Sequence, residues 1–160
     1  MDPTAQLLAI EDIKQLKARY FRFMDCKDWD GMLGVFTPDA QFDLTGSWST
    51  PDLVNGGWSP PFDESLKVSG RSDFVNLLKN AIGPLHTVHH GHMPEITILS
   101  EVDATGIWAM EDLIRNPEDQ PYHCLHAYGH YHERYAKSPN GWAISEMRLT
   151  RLFFSENKSS

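Results

Sequence analysis

The chain has 160 residues, 41% of them hydrophobic, which suits one domain able to bury a core. A net charge of −8 argues against nucleic acid or an anionic membrane as partner, since both need a basic surface. No apolar run approaches the roughly 20 residues that span a bilayer. Met1-Asp2-Pro3-Thr4 has neither the basic nor the apolar stretch of a signal peptide, so the expected location is the cytoplasm.

Asp2-Pro3 can cap and open a helix. Ile10, Ile13, Leu16, Tyr20 and Met24 recur at helical spacing and carry it to about residue 25. A short second helix is expected from Asp28, with Trp29, Leu33 and Phe36 on one side, ending before Pro38. Ala40 to Leu44 reads as a strand. Residues 45–71 are rich in Gly, Ser, Pro and Trp, and so long an irregular segment in a compact domain reads as a packed lid. Ser72 is the expected cap of a third helix closing near Gly83-Pro84.

Strands come next: Thr87 to Leu99, interrupted near Pro94, then Ala104 to Arg115, His123 to Lys137 and Gly141 to Phe154. Ser138-Pro139-Asn140-Gly141 is a hairpin turn. Glu156 to Ser160 are polar and expected to fray. Helices first and antiparallel strands after predict an α+β domain with helices on one sheet face. Cys26 and Cys124 form neither a disulfide framework nor a metal spacing.

Four places carry chemistry. Asp25 ends the first helix, where the helix dipole and enclosure by apolar groups would both raise its pKa; the alternative is a solvated carboxylate. In Leu85–His92, alternation sets His89 against His90 and His92, and imidazole suits proton transfer near neutral pH. His126, His130 and His132 share a strand face, but no further ligand stands beside them, so a polar pocket wall or subunit contact is expected rather than a metal. On the last strand, Ala143, Met147, Leu149, Arg151 and Phe153 point one way. This buries Arg151, whose guanidinium then needs either a structural carboxylate or a substrate oxygen. There is no phosphate-binding glycine loop and no nucleophile elbow.

The segments Tyr20-Phe21-Arg22-Phe23-Met24-Asp25, Trp29-Asp30, His89-His90-Gly91-His92-Met93-Pro94-Glu95-Ile96, Ala104-Thr105-Gly106-Ile107-Trp108 and Gly141-Trp142-Ala143-Ile144 resemble, in order and spacing, the SnoaL-like branch of the nuclear-transport-factor-two-like superfamily. The likeness runs from about Ile10 to Phe154, nearest to the bile-acid dehydratases and more distant to scytalone dehydratases and hexachlorocyclohexane dehydrochlorinases. It implies a cone-shaped, curved sheet wrapped by the N-terminal helices, with a pocket between, and eliminations by an Asp–His pair. By motif position that pair is Asp25 and His89, with Tyr20 as a third catalytic residue. Arg151, His126, Trp108, Phe21 and Met147 form the implied substrate-binding set. His126 stands where the bile-acid enzymes carry asparagine.

Tyr20 and Asp25 lie about 140° apart around an ideal helix, so one pocket must reach around it to meet both. The expected function is a cofactor-independent, metal-independent lyase acting on a hydrophobic cyclic molecule such as a steroid, terpenoid or polyketide. An isomerase or cyclase on a similar ketone is the alternative, and a non-catalytic ligand binder a third. A homodimer or homotrimer through the outer sheet face, around Tyr128, His130 and His132, is expected as well.

Overall fold

The computed structural model describes residues 2–118 and 123–158. Helix α1 (Pro3–Cys26) is capped by the Asp2 side chain, which accepts from the Thr4 and Ala5 amides. It buries Ile13, Leu16, Tyr20 and Met24. Its end is closed by Lys27 in the left-handed region at φ 60°. Asp28 caps α2 (Trp29–Gly34) through the Gly31 amide.

Strand β1 (Phe36–Gly46) begins four residues earlier than the composition suggests, and α2 stops before Phe36. The cause is tertiary. Phe36 pairs in parallel with Ile144 of the last strand, and the Ile144 amide donates to Val35 O at 2.9 Å. Pro38 is tolerated because it falls within a register shift between Phe36 and Gln41.

Residues 45–71 hold a small hairpin, β2 (Thr50–Pro51) with β3 (Trp58–Ser59), and the edge strand β4 (Lys67–Ser69). Helix α3 (Arg71–Ile82) starts one residue before Ser72. Its N-cap is Gly70, without a side-chain cap, and the Arg71 guanidinium instead donates to the Leu33 and Phe36 carbonyls.

Strands β5 (His86–Ile98), β6 (Asp103–Arg115), β7 (His123–Ser138) and β8 (Gly141–Lys158) match the expected run. The sheet order is β4-β1-β8-β7-β6-β5, antiparallel except for β1 against β8. The interruption near Pro94 is a register shift between Gly91 and Pro94. Gly141, at φ 104°, closes the β7–β8 turn in a conformation that costs a side-chain-bearing residue strain. Glu156 to Lys158, expected to fray, pair with Leu125 to His123, and the last two residues lie outside the described ones.

Strand β8 does not keep one parity. Arg134 pairs with Glu146 but Tyr135 with Ile144, and Tyr128 pairs with Phe153 but Gly129 with Arg151. Ser145 and Leu152 are therefore extra residues, and each reverses the facing of the residues beyond it. Trp142 and Ile144 face inward, then Met147, Leu149 and Arg151. Ala143 and Phe153 leave the expected inner face, and Phe153 is 51% exposed.

The helices pack on the inner face of the curved sheet around an aromatic cluster. Phe42 stacks on Phe74 at 3.7 Å, and Phe36 meets Tyr20, Phe42 and Phe74 edge-on. A buried ion pair crosses this core. Lys17, fully buried, donates to Glu133, whose other oxygen accepts from Tyr135; Trp108 Nε1 donates in turn to the Tyr135 hydroxyl at 2.8 Å. The Lys17 ammonium lies 3.9 Å from the Tyr20 ring centre and 3.7 Å from that of Tyr131.

Candidate active site

His89 sits on β5 with its ring turned inward, 8% exposed. Its Nδ1 lies 2.7 Å from Asp25 Oδ1, and its backbone amide donates to Asp25 Oδ2 at 2.8 Å. Two bonds from one residue fix the carboxylate against the strand. Thr87 adds a third, its hydroxyl donating to Asp25 Oδ1 at 2.9 Å while accepting from Lys27 Nζ at 2.8 Å.

Burial pushes the Asp25 carboxyl up, but the His89 side-chain and backbone hydrogen bonds, the imidazole charge and Thr87 outweigh it. The group is held below its ordinary value, opposite to the rise predicted from the helix end. Asp25 therefore stays ionised and accepts the Nδ1 proton. That leaves the Nε2 lone pair of His89 facing the interior.

There His89 lines a cavity of about 170 Å³. Tyr20, Ser47, Tyr131, Asp112 and Arg151 supply its other polar groups. Leu44, Phe74, Ile82, Leu125, Met147 and Leu149 supply apolar wall. Ser47 and Trp48, at the start of the 45–71 segment, close one side, with Trp48 stacked on Phe154 at 5.8 Å. A larger groove of about 680 Å³ on the outer sheet face contains neither Asp25 nor His89, so the smaller cavity is the candidate site.

Tyr20, His89, Arg151 and Met147 thus line one cavity, as expected. Asp25 does not; it stands behind His89, which resolves the 140° between it and Tyr20, since the imidazole reaches the cavity on its behalf. Three of the implied substrate-binding residues lie elsewhere. His126 is on the outer face, because Leu125, Ala127 and Gly129 take the inward positions of β7; its Nε2 lies 2.8 Å from Glu111 Oε2 and its ring stacks on Tyr128. Trp108 is spent on Tyr135, behind the wall. Phe21 packs over Gly91, where an added Cβ would stand 2.4 Å from the Phe21 ring, and it backs Tyr20 and Tyr131 without reaching the cavity.

Two cavity residues, Asp112 and Tyr131, are not anticipated by the sequence pattern. Asp112, 2% exposed, accepts from Arg151 Nη2 at 2.8 Å and lies 3.9 Å from His89 Nε2. It is the structural carboxylate that Arg151 requires, yet both groups also face the cavity. A signal for it exists: it shares inward parity with Ala104, Trp108 and Met110 on β6. Burial pushes the Tyr20 hydroxyl well above its ordinary pKa, with Tyr131, Glu133 and Asp112 adding to the rise, so it remains a neutral donor. Burial raises Tyr131 likewise. Among the described residues no group of three His, Cys, Asp or Glu side chains is placed to hold a metal ion, and no helix is long and apolar enough to cross a membrane.

A curved sheet thus carries an inward His–Asp pair beside a small cavity. The SnoaL-like domain model matches residues 5–148, and the chain belongs to that family. A Gibberella zeae protein named probable cyclase FGR4 is 26% identical over 145 residues, covering 89% of this chain and 90% of its own. Among solved structures, a putative scytalone dehydratase from Novosphingobium aromaticivorans superposes with a TM-score of 0.76 at 17% identity, over 99% of this chain and 94% of its own. A type 2 hexachlorocyclohexane dehydrochlorinase does so with a TM-score of 0.76 at 15% identity, over 99% and 95%. These two likenesses show a shared fold, the curved sheet wrapped by N-terminal helices.

Proposed function

We propose that the protein is a cofactor-independent lyase of the dehydratase type. The observation that carries this reading is the 2.7 Å Asp25–His89 contact, with the His89 ring also lining the cavity. Neutral His89 takes a proton from carbon next to a carbonyl. Asp25 keeps the ring in the required tautomer and stabilises the imidazolium that forms. The electron pair from the broken C–H bond becomes the new C=C bond, and the C–O bond on the neighbouring carbon breaks. Its oxygen takes a proton donated by the Tyr20 hydroxyl or returned by the imidazolium, and leaves as water. Arg151 faces the charge that develops on the carbonyl oxygen.

A cavity of about 170 Å³ narrows the substrate from the expected range, because cavities near 150 Å³ hold a single benzene ring. A one-ring ketone fills that volume, and in a two-ring ketone the second ring reaches into the open side of the cavity, which puts small ring systems ahead of a steroid. The test is incubation with one- and two-ring β-hydroxy ketones in D₂O, following loss of water by mass spectrometry and exchange at the α-carbon by NMR. Exchange with water loss is the expected result. Neither exchange nor loss across the panel would overturn the reading. The relative named probable cyclase favours a second reading, ring closure after the same proton abstraction. Exchange without water loss, giving an isomeric product, would select it.

We also propose that the outer sheet face joins copies of the chain into a dimer or trimer. Tyr128 there is stacked between His126 at 4.3 Å and the half-exposed Phe153 at 4.4 Å, a broad aromatic strip suited to an interface. Sedimentation velocity at micromolar concentration should show the oligomer, and a monomer would refute it.

A further inference from the structure

Two residues that line the cavity each carry a buried polar atom with no hydrogen-bond partner: Asp112 Oδ1 on β6 and Ser47 Oγ on the segment beside the cavity. Their neighbours are committed. Asp112 Oδ2 accepts from Arg151 Nη2 at 2.8 Å, and Arg151 Nε donates to the Ser47 carbonyl at 3.4 Å. A carboxylate oxygen accepts and never donates. Left bare in an apolar cavity it carries a desolvation penalty that only a donor can remove. The neutral His89 ring does not serve it, because its one N–H, on Nδ1, is donated to Asp25 and Nε2 is then itself an acceptor.

From this geometry we propose that Asp112 sets the polarity of the ligand: the substrate is a one- or two-ring alcohol whose hydroxyl donates its hydrogen to Asp112 Oδ1, at the end of the cavity where His89 and Arg151 meet. Ser47 Oγ, on the other residue that Arg151 bonds, takes a second oxygen of the same molecule. The assignment rests on reading this cavity as the substrate site, but not on which reaction occurs there.

The arrangement makes an unusual prediction for Asp112→Asn. Arg151 has only donors, so it must keep an acceptor, and the amide oxygen takes the place of Oδ2. The amide NH₂ then stands where Oδ1 was, and an acceptor becomes a donor. A site that favoured an alcohol should now favour a ketone.

The probes are indan-1-ol and indan-1-one, two fused rings of nearly equal size that differ in having or lacking a donor. Titration calorimetry should give the wild-type protein a preference for the alcohol of about tenfold or more. Asp112→Asn should abolish or invert it. The double variant Asp112→Asn/Arg151→Gln keeps a neutral amide–amide bond and should behave alike, which guards against a single variant that fails to fold. An unchanged alcohol-to-ketone ratio in a folded variant, or no preference in the wild-type protein, would overturn the assignment. So would the failure of both indanes to bind. Loss of the Asp–His chemistry would show separately, as turnover that survives changes at His89 and Asp25 while the alcohol preference stands.

Discussion

Replacing His89 by alanine is expected to lower turnover about 10²–10⁴-fold, the usual contribution of a positioned general base. Asp25→Asn should be nearly as damaging. The amide cannot stabilise the imidazolium, and it presents either a donor to the Nδ1 proton or an acceptor that carries no charge. Both variants need circular dichroism to confirm the fold, because Asp25 also ties α1 to β5 through Thr87 and the His89 amide. The roles also set the pH dependence. The free Nε2 is required, so activity falls as the medium is acidified and the ring gains a proton. The carboxylate is not the source of that limb, since Asp25 is held below its ordinary 3.8 and is still ionised there. For stability the sign is the same: the Asp25 contribution is present above pH 3.8 and lost as pH falls through the lower folded value. Near-full turnover in either folded variant would remove the pair from the chemistry.

The largest expected effect on stability lies away from the cavity. Glu133→Leu leaves Lys17 fully buried without its partner, and removing one member of such a pair costs about 3–5 kcal/mol. Thermal unfolding should shift down by roughly 10 °C for a chain of this size. Lys17→Met/Glu133→Leu together should recover most of that loss, because well-packed apolar residues replace a buried ion pair at little or no cost. A double variant as unstable as the single one would show that the pair is not the source. In the wild-type protein the burial of Lys17 lowers its pKa to about 8, against a pull upward from Glu133. Between about pH 8 and the ordinary 10.5 the unfolded chain binds more protons at this lysine than the folded one does. This lysine's contribution to stability therefore rises through that window, and the rise should vanish in Lys17→Met.

Much of the fold is legible in the residue order alone. Periodicity carries α1, and β-patterning with a strong turn places the four long strands. Asp25 and His89 stand out because their residue types and positions match a recurring motif. The misplacements have local causes. An extra residue at Ser145 and another at Leu152 flip β8 twice, and alternation alone cannot register an insertion that only the partner strand reveals. The α2–β1 boundary is hidden because Phe36 satisfies a helical stripe as well as a strand, and pairing with Ile144 decides between them. Motif position assigns His126 to the pocket, whereas the parity of Leu125, Ala127 and Gly129 puts it outside. Lys17 and Glu133 are 116 residues apart, each ordinary in its own neighbourhood, and their burial is visible only once the fold joins them.

Arg151 reaches from β8 to Asp112 on β6 and to the Ser47 carbonyl on the segment beside the cavity, and the two bonds differ in strength: 2.8 Å to a carboxylate against 3.4 Å to a neutral carbonyl. The segment has further anchors, Gly46 paired with Thr150, the Ser47 amide on the Leu44 carbonyl and Trp48 stacked on Phe154. A shift of the Ser47 side would therefore give up the weaker bond first and leave the Arg151–Asp112 pair in place, so the polar end of the cavity would keep its shape while its rim adapts to a ligand.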